Sequence, residues 1–404
     1  MGWSTENLGD LYKIGSSKRV LKSQWQTSGV PFYRGREITI LSKHGEVSNE
    51  LFISEELYQE YAKKHGVPAT EDIVITAIGT IGNSYIVSAN DRFYFKDASV
   101  LWLKKTSNVD SSFINLWLKS SLMREQLDEG NGATVDTLTI KKLQSLQVKL
   151  PPIPEQQRIV AILDQAFADI EKARANAEKN LKNARELFDS YLQQVFSQRG
   201  EGWVEEVLGR VCDVRDGTHD SPKYVDEGIP FITQKNIRTD GLSFEKTKFI
   251  SETDHMKFYK RSNVTHGDIL ISMIGVNRGM ACVVDDHRIF SIKNVGLIKK
   301  ALNINPLFLL FYLKSHTAKK YIESESRGGA QPFIGLTKLR AFPVLLASPE
   351  EQEEVVSKLT LIEARTENLV LIYETKLKSL EELKKSLLQK AFSGELTKTE
   401  GHAA

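Results

Sequence analysis

The chain has 404 residues, of which 41% are hydrophobic and 26% charged. That composition excludes a disordered or fibrous chain and points to a globular protein of two or three domains with charge-rich helices. Lys and Arg total 54 against 52 Asp and Glu, a net charge of +2, so any case for nucleic acid must come from where the cations lie and not from their sum.

No stretch approaches the roughly 18 consecutive apolar residues of a membrane span. The opening "MGWSTENLGDLYK" also lacks the basic-then-apolar pattern of a secretory leader. A cytoplasmic protein without membrane contact is expected. From the start of the chain, β-branched runs such as "DIVITAIG" (72–79) and "SYIVSA" (84–89) read as strands, and Phe113–Leu127 reads as a helix. The loops between them carry hydrogen-bonding and basic groups. "GSSKRVLKSQWQ" presents Ser17, Lys18, Arg19, Lys22 and Gln26, and "PFYRGREI" presents Tyr33, Arg34 and Arg36. Asn83 closes "AIGTIGN", and the glycine-rich "EGNGATVDTL" offers Asn131 and Thr134. Arg and Lys suit guanine edges and phosphates, while Asn and Gln suit adenine. These residues are the candidate DNA contacts of the first half.

At residue 150 the character changes. Pro151, Pro152 and Pro154 end the last strand and suit a helix start, where proline forfeits no hydrogen bond. Glu155 places negative charge at the positive helix end. Gln156 has no comparable reason at a helix start, and the expectation is that it contacts the other half or a partner protein. Glu155–Ser197 holds neither Gly nor Pro and predicts a helix of about 65 Å. Leu163, Ala166, Ile170, Ala173, Ala177, Ala184, Leu187 and Tyr191 alternate in steps of three and four, the heptad seam of a coiled coil. Phe167, Phe188, Leu192 and Val195 lie off that seam, where a further helical partner would cover them.

The sequence then repeats itself. "WVEEVLG" at Trp203 echoes "WSTENLG" at Trp3, "IPF" (229–231) echoes "VPF" (30–32), and "DILISMIG" (268–275) echoes "DIVITAIG". From Leu143 and Leu339 onward the offset holds at 196 residues, through Glu155-Gln156 over Glu351-Gln352 to "SYLQQVFS" over "SLLQKAFS". In this second half "DVRDGTHDSPKY" presents Asp216, Thr218, His219 and Lys223, and "TQKNIR" presents Gln234, Lys235, Asn236 and Arg238. "MIGVNRG" offers Asn277 and Arg278, and "SRGGAQPFIGL" offers Gln331. Pro306–Tyr321 reads as the helical counterpart of Phe113–Leu127. The run Glu350–Ser393 predicts a second long helix with a seam at Leu359, Ile362, Leu369, Tyr373, Leu380, Leu383 and Leu387. Ile372 lies off it. Glu350 and Glu351 charge the helix start, and Gln352 shares the expectation for Gln156.

The fold class expected is therefore α+β. Two mixed α/β recognition domains, 1–150 and 200–347, stand in pseudo-twofold repeat. They are joined by two antiparallel helices, 151–199 and 348–396, forming a coiled coil, with a tail at 397–404.

Signatures of catalysis are absent from the sequence. The dipeptide Gly-Lys of a phosphate loop never occurs, and there is no HExxH, CxxC or G-x-S-x-G. Pro151-Pro152 follows Leu and so is not the Asn/Asp-Pro-Pro-Tyr motif of an amino-methyltransferase. Asp216, His219 and Asp220 read as a polar turn rather than a catalytic cluster. Cys212 and Cys282 sit in apolar strand-like contexts and are expected as buried, reduced thiols. Two duplicated catalytic domains would keep their polar residues, whereas here the apolar framework is kept and the polar loops differ. An adaptor binding only protein would account for the helices but not for two divergent, Lys/Arg-rich globules.

With "LPPIPEQQRIV" at Leu150–Val160, its degenerate copy at Glu350–Val356, and "LLQKAFSGEL" at Leu387–Leu396, the chain resembles the specificity subunits of type I restriction-modification systems over essentially its whole length. "GVPFYRGREI" and "DGTHDSPKYVDEGIPFITQKNI" are similar to two kinds of target recognition domain. The resemblance implies that each recognition domain reads one half of an asymmetric bipartite target in double-stranded DNA and that the helices set the spacer. It implies two methyltransferase subunits that use S-adenosylmethionine to methylate adenine N6, with or without two restriction subunits that use ATP and Mg. This chain itself would bind no cofactor and catalyse nothing.

Overall fold

In a computed structural model, residues 2–128, 137–326 and 332–397 are described. They form two compact units, the first comprising residues up to Ala177 together with those from Thr375 onward, the second Glu178–Glu374. Each unit holds one mixed α/β globule, the start of one long helix and the end of the other. The long helices are Ile153–Gln198 and Pro349–Ser393, within a few residues of the proline- and glycine-free runs that predict them.

In the first unit, Tyr12–Gly15, Val100–Lys105, Ile73–Thr76 and Ser84–Ile86 form an antiparallel sheet in that spatial order. "IVIT" at its centre is buried at all four positions, as β-branched residues suit a strand covered on both faces. A second sheet orders Phe52–Ile53, Val30–Tyr33 and Tyr94–Phe95, the last two pairing parallel. Ser4–Asn7 pairs with Gln147–Leu150 and ties the two ends of the globule together.

The second unit repeats this plan. Val214–Asp216, Val295–Ile298, Ile269–Ser272 and Ala281–Val283 form the antiparallel sheet, and Lys248–Ile250, Ile229–Ile232 and Ser291–Ile292 the mixed one. Val204–Val207 pairs with Pro343–Leu346. A hairpin, Ile237–Arg238 with Gly241–Leu242, is added. The glycine before each "PF" strand has a physical reason. Gly29 and Gly228 take φ of +123° and +157°, and a Cβ there would lie 2.4 and 2.5 Å from the carbonyl oxygens of Ile53 and Ile250.

The two predicted short helices are each broken in two. Ser111–Leu118 is followed by Ser121–Asp128, and Pro306–Lys314 by His316–Glu325. Ser315 ends one helix and caps the next, its hydroxyl accepting from the Ala318 N–H at 3.3 Å.

Each globule closes on two helix pieces that are distant in sequence. In the first unit Ile159 and Leu163 of the first helix join Leu388, Ala391 and Phe392 of the second in one core, with Phe392 edge-on to Phe113 at 5.1 Å. In the second unit the roles exchange. Leu192 and Phe196 join Leu359, and Phe196 meets Phe308, Tyr312 and Trp203 at 5.5, 5.3 and 6.2 Å. The helix pieces run antiparallel within each unit: Glu171 pairs with Lys384 and Arg174 with Glu381 in the first, and Arg185 pairs with Glu374 in the second.

The seam differs from expectation at two equivalent places. Leu187 is 50% and Leu383 46% exposed, because the stripe of buried and half-buried positions takes a step of four, from Ala184 to Phe188 and from Leu380 to Lys384. Thr366, buried, supplies a seam position the apolar pattern omits, its hydroxyl donating to the Ile362 and Glu363 carbonyls. The off-seam residues are also redistributed. Leu192 is core, Phe188 and Val195 pack on the same cluster, and Phe167 lies against the first unit's core under Lys384. Of the five, Ile372 alone stays well exposed.

Gln156 and Gln352 depart from expectation too, because each is a clamp inside its own unit. Both are 1% exposed. Gln156 accepts from the Asp110 N–H at 2.9 Å and donates to the Pro151 carbonyl at 2.7 Å. Gln352 accepts from the Asn305 N–H at 2.7 Å and donates to Asn303 and Ala347 carbonyls. Asp110 and Asn305 are the N-caps of the equivalent helices Ser111–Leu118 and Pro306–Lys314. The recurring Gln thus fixes where the long helix leaves the globule. Glu351 forms a capping box with Ser348, and Glu155 lies 3.8 Å from Arg158. Both glutamates are engaged locally.

Candidate nucleic-acid interface

In the second unit, the strand Ile229–Ile232 runs into "TQKN", which turns sharply because Asn236 is buried. Its side-chain Oδ1 accepts from the Thr233 N–H and hydroxyl, and its Nδ2 donates to the Ser243 carbonyl and the Thr247 hydroxyl. The turn presents Gln234, Lys235 and Arg238 on the wall of a cavity of about 550 Å³ also lined by Lys246, Lys248, Lys293, Asn294 and Tyr224. Five cations face one acid, Glu245, which pairs with Arg238 at 2.9 Å. Lys248 lies 4.2 Å over the Tyr224 ring. A concave wall with that excess of positive charge, which also carries the Gln234 and Asn294 side-chain amides, suits a polyanion that also offers hydrogen-bonding edges.

The loop at 213–222 adjoins this cavity. Gly217 permits it, since a Cβ there would lie 2.3 Å from the Ile292 carbonyl oxygen. Thr218 then bridges to Lys293. His219 Nδ1 lies 2.7 Å from Asn294 Oδ1, and its Nε2 lies 3.0 Å from buried Asp216. Asp216 also accepts from Arg261 at 2.9 and 2.6 Å, so it holds two exposed cationic or polar groups without facing solvent itself.

In the first unit, Arg19 and Lys22 line a smaller concavity of about 340 Å³ with Trp25, Ile78, Lys96 and Asp97. The loop is pinned from below: the Ser17 hydroxyl donates to the Phe95 carbonyl and the Lys18 N–H to the Tyr94 hydroxyl. Arg34 begins the helix Gly35–His44. Its guanidinium donates to buried Glu37 at 2.8 and 3.1 Å. That hydrogen bond raises the Arg34 pKa; although burial pushes the Glu37 pKa up, the Arg34 bonds outweigh it and hold the carboxyl below its usual range.

The candidates read from sequence therefore sort into several groups. Arg19, Lys22, Gln234, Lys235 and Arg238 converge on the two concavities, Lys18, Gln26, Lys223, His219 and Asn277 are exposed on loops, and Arg36 is exposed on the helix Gly35–His44. Asp216, Thr218 and Asn236 are corrected to structural roles, since they are buried with their polar atoms engaged inside the unit; the Thr218 hydroxyl accepts from the Asp220 N–H. Ser17 spends its hydroxyl on the backbone. Asn83 is tied to Thr39 and Thr80, Arg278 to Ser326 and Gly275, and Tyr33 stacks on Phe93 at 4.7 Å. Asn131, Thr134 and Gln331 lie outside the described residues. Sequence reasoning missed Lys96, Lys246, Lys248, Lys293, Asn294 and Arg261. Lys246 and Lys248 carry a signal in the alternation of "EKTKF", whereas Lys293 becomes visible only once the strands are paired.

Cys212 and Cys282 are buried and unpaired, and burial pushes their thiols up to about 11 and about 12, which makes them poor nucleophiles. Among the described residues no group of His, Cys, Asp and Glu could hold a metal ion, and no helix is long and apolar enough to cross a membrane.

Residues 1–179 and 200–382 match the family described as type I restriction modification DNA specificity domain, one copy in each half. The chain belongs to that family. This places it among the specificity subunits of type I restriction-modification systems. S.HindORF215P of Haemophilus influenzae is 34% identical over 39% of this chain, a match spanning 38% of that relative's length. The type I restriction enzyme EcoBI specificity subunit of Escherichia coli is 24% identical over 66% of this chain and 62% of its own. The EcoKI specificity subunit of Escherichia coli K12 is 22% identical over 96% and 86%. Among solved structures, the HsdS subunit from Thermoanaerobacter tengcongensis covers 98% of this chain and 97% of its own, with a TM-score of 0.65 and 19% identity. A chain from work on assembly and conformational transition of the type I R-M system covers 98% of both chains, with a TM-score of 0.77 and 20% identity. These two show the fold.

Proposed function

We propose that this chain is the DNA-reading, non-catalytic subunit of a type I restriction-modification complex. Residues 1–150 and 200–347 are its target recognition domains, 151–199 and 348–396 its spacer helices, and 397–404 a tail. The observation that carries this reading is the pairing of a repeated framework with two differently built basic concavities. Each domain reads one half of an asymmetric bipartite target in double-stranded DNA, and the helices fix the number of unread base pairs between the halves. Leu187 and Leu383, exposed at equivalent positions on the two long helices, are where two methyltransferase subunits dock. Those partners bind S-adenosylmethionine and methylate adenine N6. Where the system includes restriction subunits, they use ATP and Mg to add cleavage, and the complex works in the cytoplasm.

The test is to co-express the chain with the methyltransferase encoded beside its gene and to map N6-methyladenine in the host DNA. A split, asymmetric motif with a fixed unread spacer is expected. A soluble, intact complex that leaves DNA unmethylated, or that methylates a continuous motif, would overturn the reading.

A further inference from the structure

Lys96 and Lys293 occupy the same place in the two units, although no constant sequence offset relates them to the rest of the repeat. Each follows the third strand of the mixed sheet, where Phe32 and Tyr33 face Tyr94 and Phe95 in parallel register, as Phe231 and Ile232 face Ser291 and Ile292. Each is pinned by the same bond, the Lys96 N–H donating to the Tyr33 carbonyl at 2.8 Å and the Lys293 N–H to the Ile232 carbonyl at 2.9 Å. Each lines the basic concavity of its unit. Neither takes part in an ion pair among the described residues, and Lys293 Nζ is steadied by the Ser221 hydroxyl at 2.6 Å.

Around these lysines the framework residues Ile78 and Ile274, and the aromatic pair Trp25 and Tyr224, also correspond, but the other polar groups do not. Arg19 and Lys22 flank one, whereas Gln234, Arg238 and Asn294 flank the other. Groups that read bases must differ between two domains reading different sequences, but a group that holds a phosphate need not, because every nucleotide presents the same phosphate. We propose that Lys96 and Lys293 are equivalent phosphate-holding residues, one per unit, that seat the duplex against each concavity without reading its sequence. This rests on the DNA-reading function proposed above.

The experiment uses the complex of the full chain with its methyltransferase. Lys96→Gln, Lys293→Gln and the double variant are titrated with a duplex carrying the mapped motif and with an unrelated duplex, over a range of salt concentrations. Each lysine lost should weaken both duplexes by the same factor and lower the slope of log affinity against log salt by about 0.9. The double variant should lower the slope by twice that amount, and the methylated motif should not change. A motif relaxed in one half would make the lysine a base reader and overturn the proposal. So would an unchanged salt slope, or an effect from only one of the two lysines. A wild-type complex that binds neither duplex would instead refute the DNA-reading function on which the proposal depends.

Discussion

Replacing Phe196 by Ala should destabilise the second globule and leave the first intact, although Phe196 ends the helix that leads out of the first. Its ring is 3% exposed and lies among Phe308, Tyr312 and Trp203. Loss of a fully buried aromatic costs about 3–5 kcal/mol. Phe392, 2% exposed and edge-on to Phe113, is its counterpart, and Phe392→Ala should open the first globule by a similar amount. Hydrogen exchange distinguishes the two cases. With Phe196→Ala, protection should fall in the strands Ile269–Ser272 and Val295–Ile298 and persist in Ile73–Thr76. Protection lost in Ile73–Thr76 instead would contradict the composition of the units, in which each globule is completed by the far end of a helix that starts elsewhere.

A second large effect is expected at Asp268. Its carboxylate, fully buried, accepts from the Thr265 N–H and hydroxyl, the Lys300 N–H and the Lys299 ammonium at 2.6 Å. Lys299 is itself mostly buried. Asp268→Asn removes the countercharge and strands an ammonium in the interior, a loss of about 3–5 kcal/mol. The equivalent Asp72 accepts from neutral donors only, Ala69 N–H, Trp102 Nε1–H and Lys105 N–H. Asp72→Asn should therefore cost about 1–3 kcal/mol. Urea unfolding of the two variants measures the difference. Equal, small losses would show that the Lys299 charge finds water despite its burial.

Much of this architecture is legible in the sequence because it follows from local chemistry. β-branched runs ended by Gly give the central strands, and the absence of Gly and Pro gives the long helices. Recurrence of "VPF" and "IPF", with the same glycine before each, announces two copies of one framework. What escapes a linear reading depends on pairing. Gln156 looks like a spare polar residue at a helix start, and only the fold brings it to the unpaired N–H of Asp110. Leu187 fits the heptad by spacing, yet Phe188 takes the buried place because the globule offers it Phe311, 6.1 Å away between ring centres. The concavity of the second unit draws Lys246, Lys248 and Lys293 beside Gln234 and Arg238 through strand pairing over tens of residues, with no local motif to mark it. Conversely Asp216, Thr218 and Asn236 have the residue types of base readers, but burial commits their polar atoms to holding Arg261 and the loops that carry His219 and Lys235.

The central claim is that the two domains read independently. The most direct test is to replace Gln234 and Arg238 together by Ala, co-express the variant with the methyltransferase, and map N6-methyladenine again. Each lost base contact should remove about 1–3 kcal/mol of discrimination. The result expected is a motif in which one half is relaxed while the other half and the unread spacer stay unchanged. Equal loss of preference in both halves, or an unchanged motif at full methylation, would contradict the account.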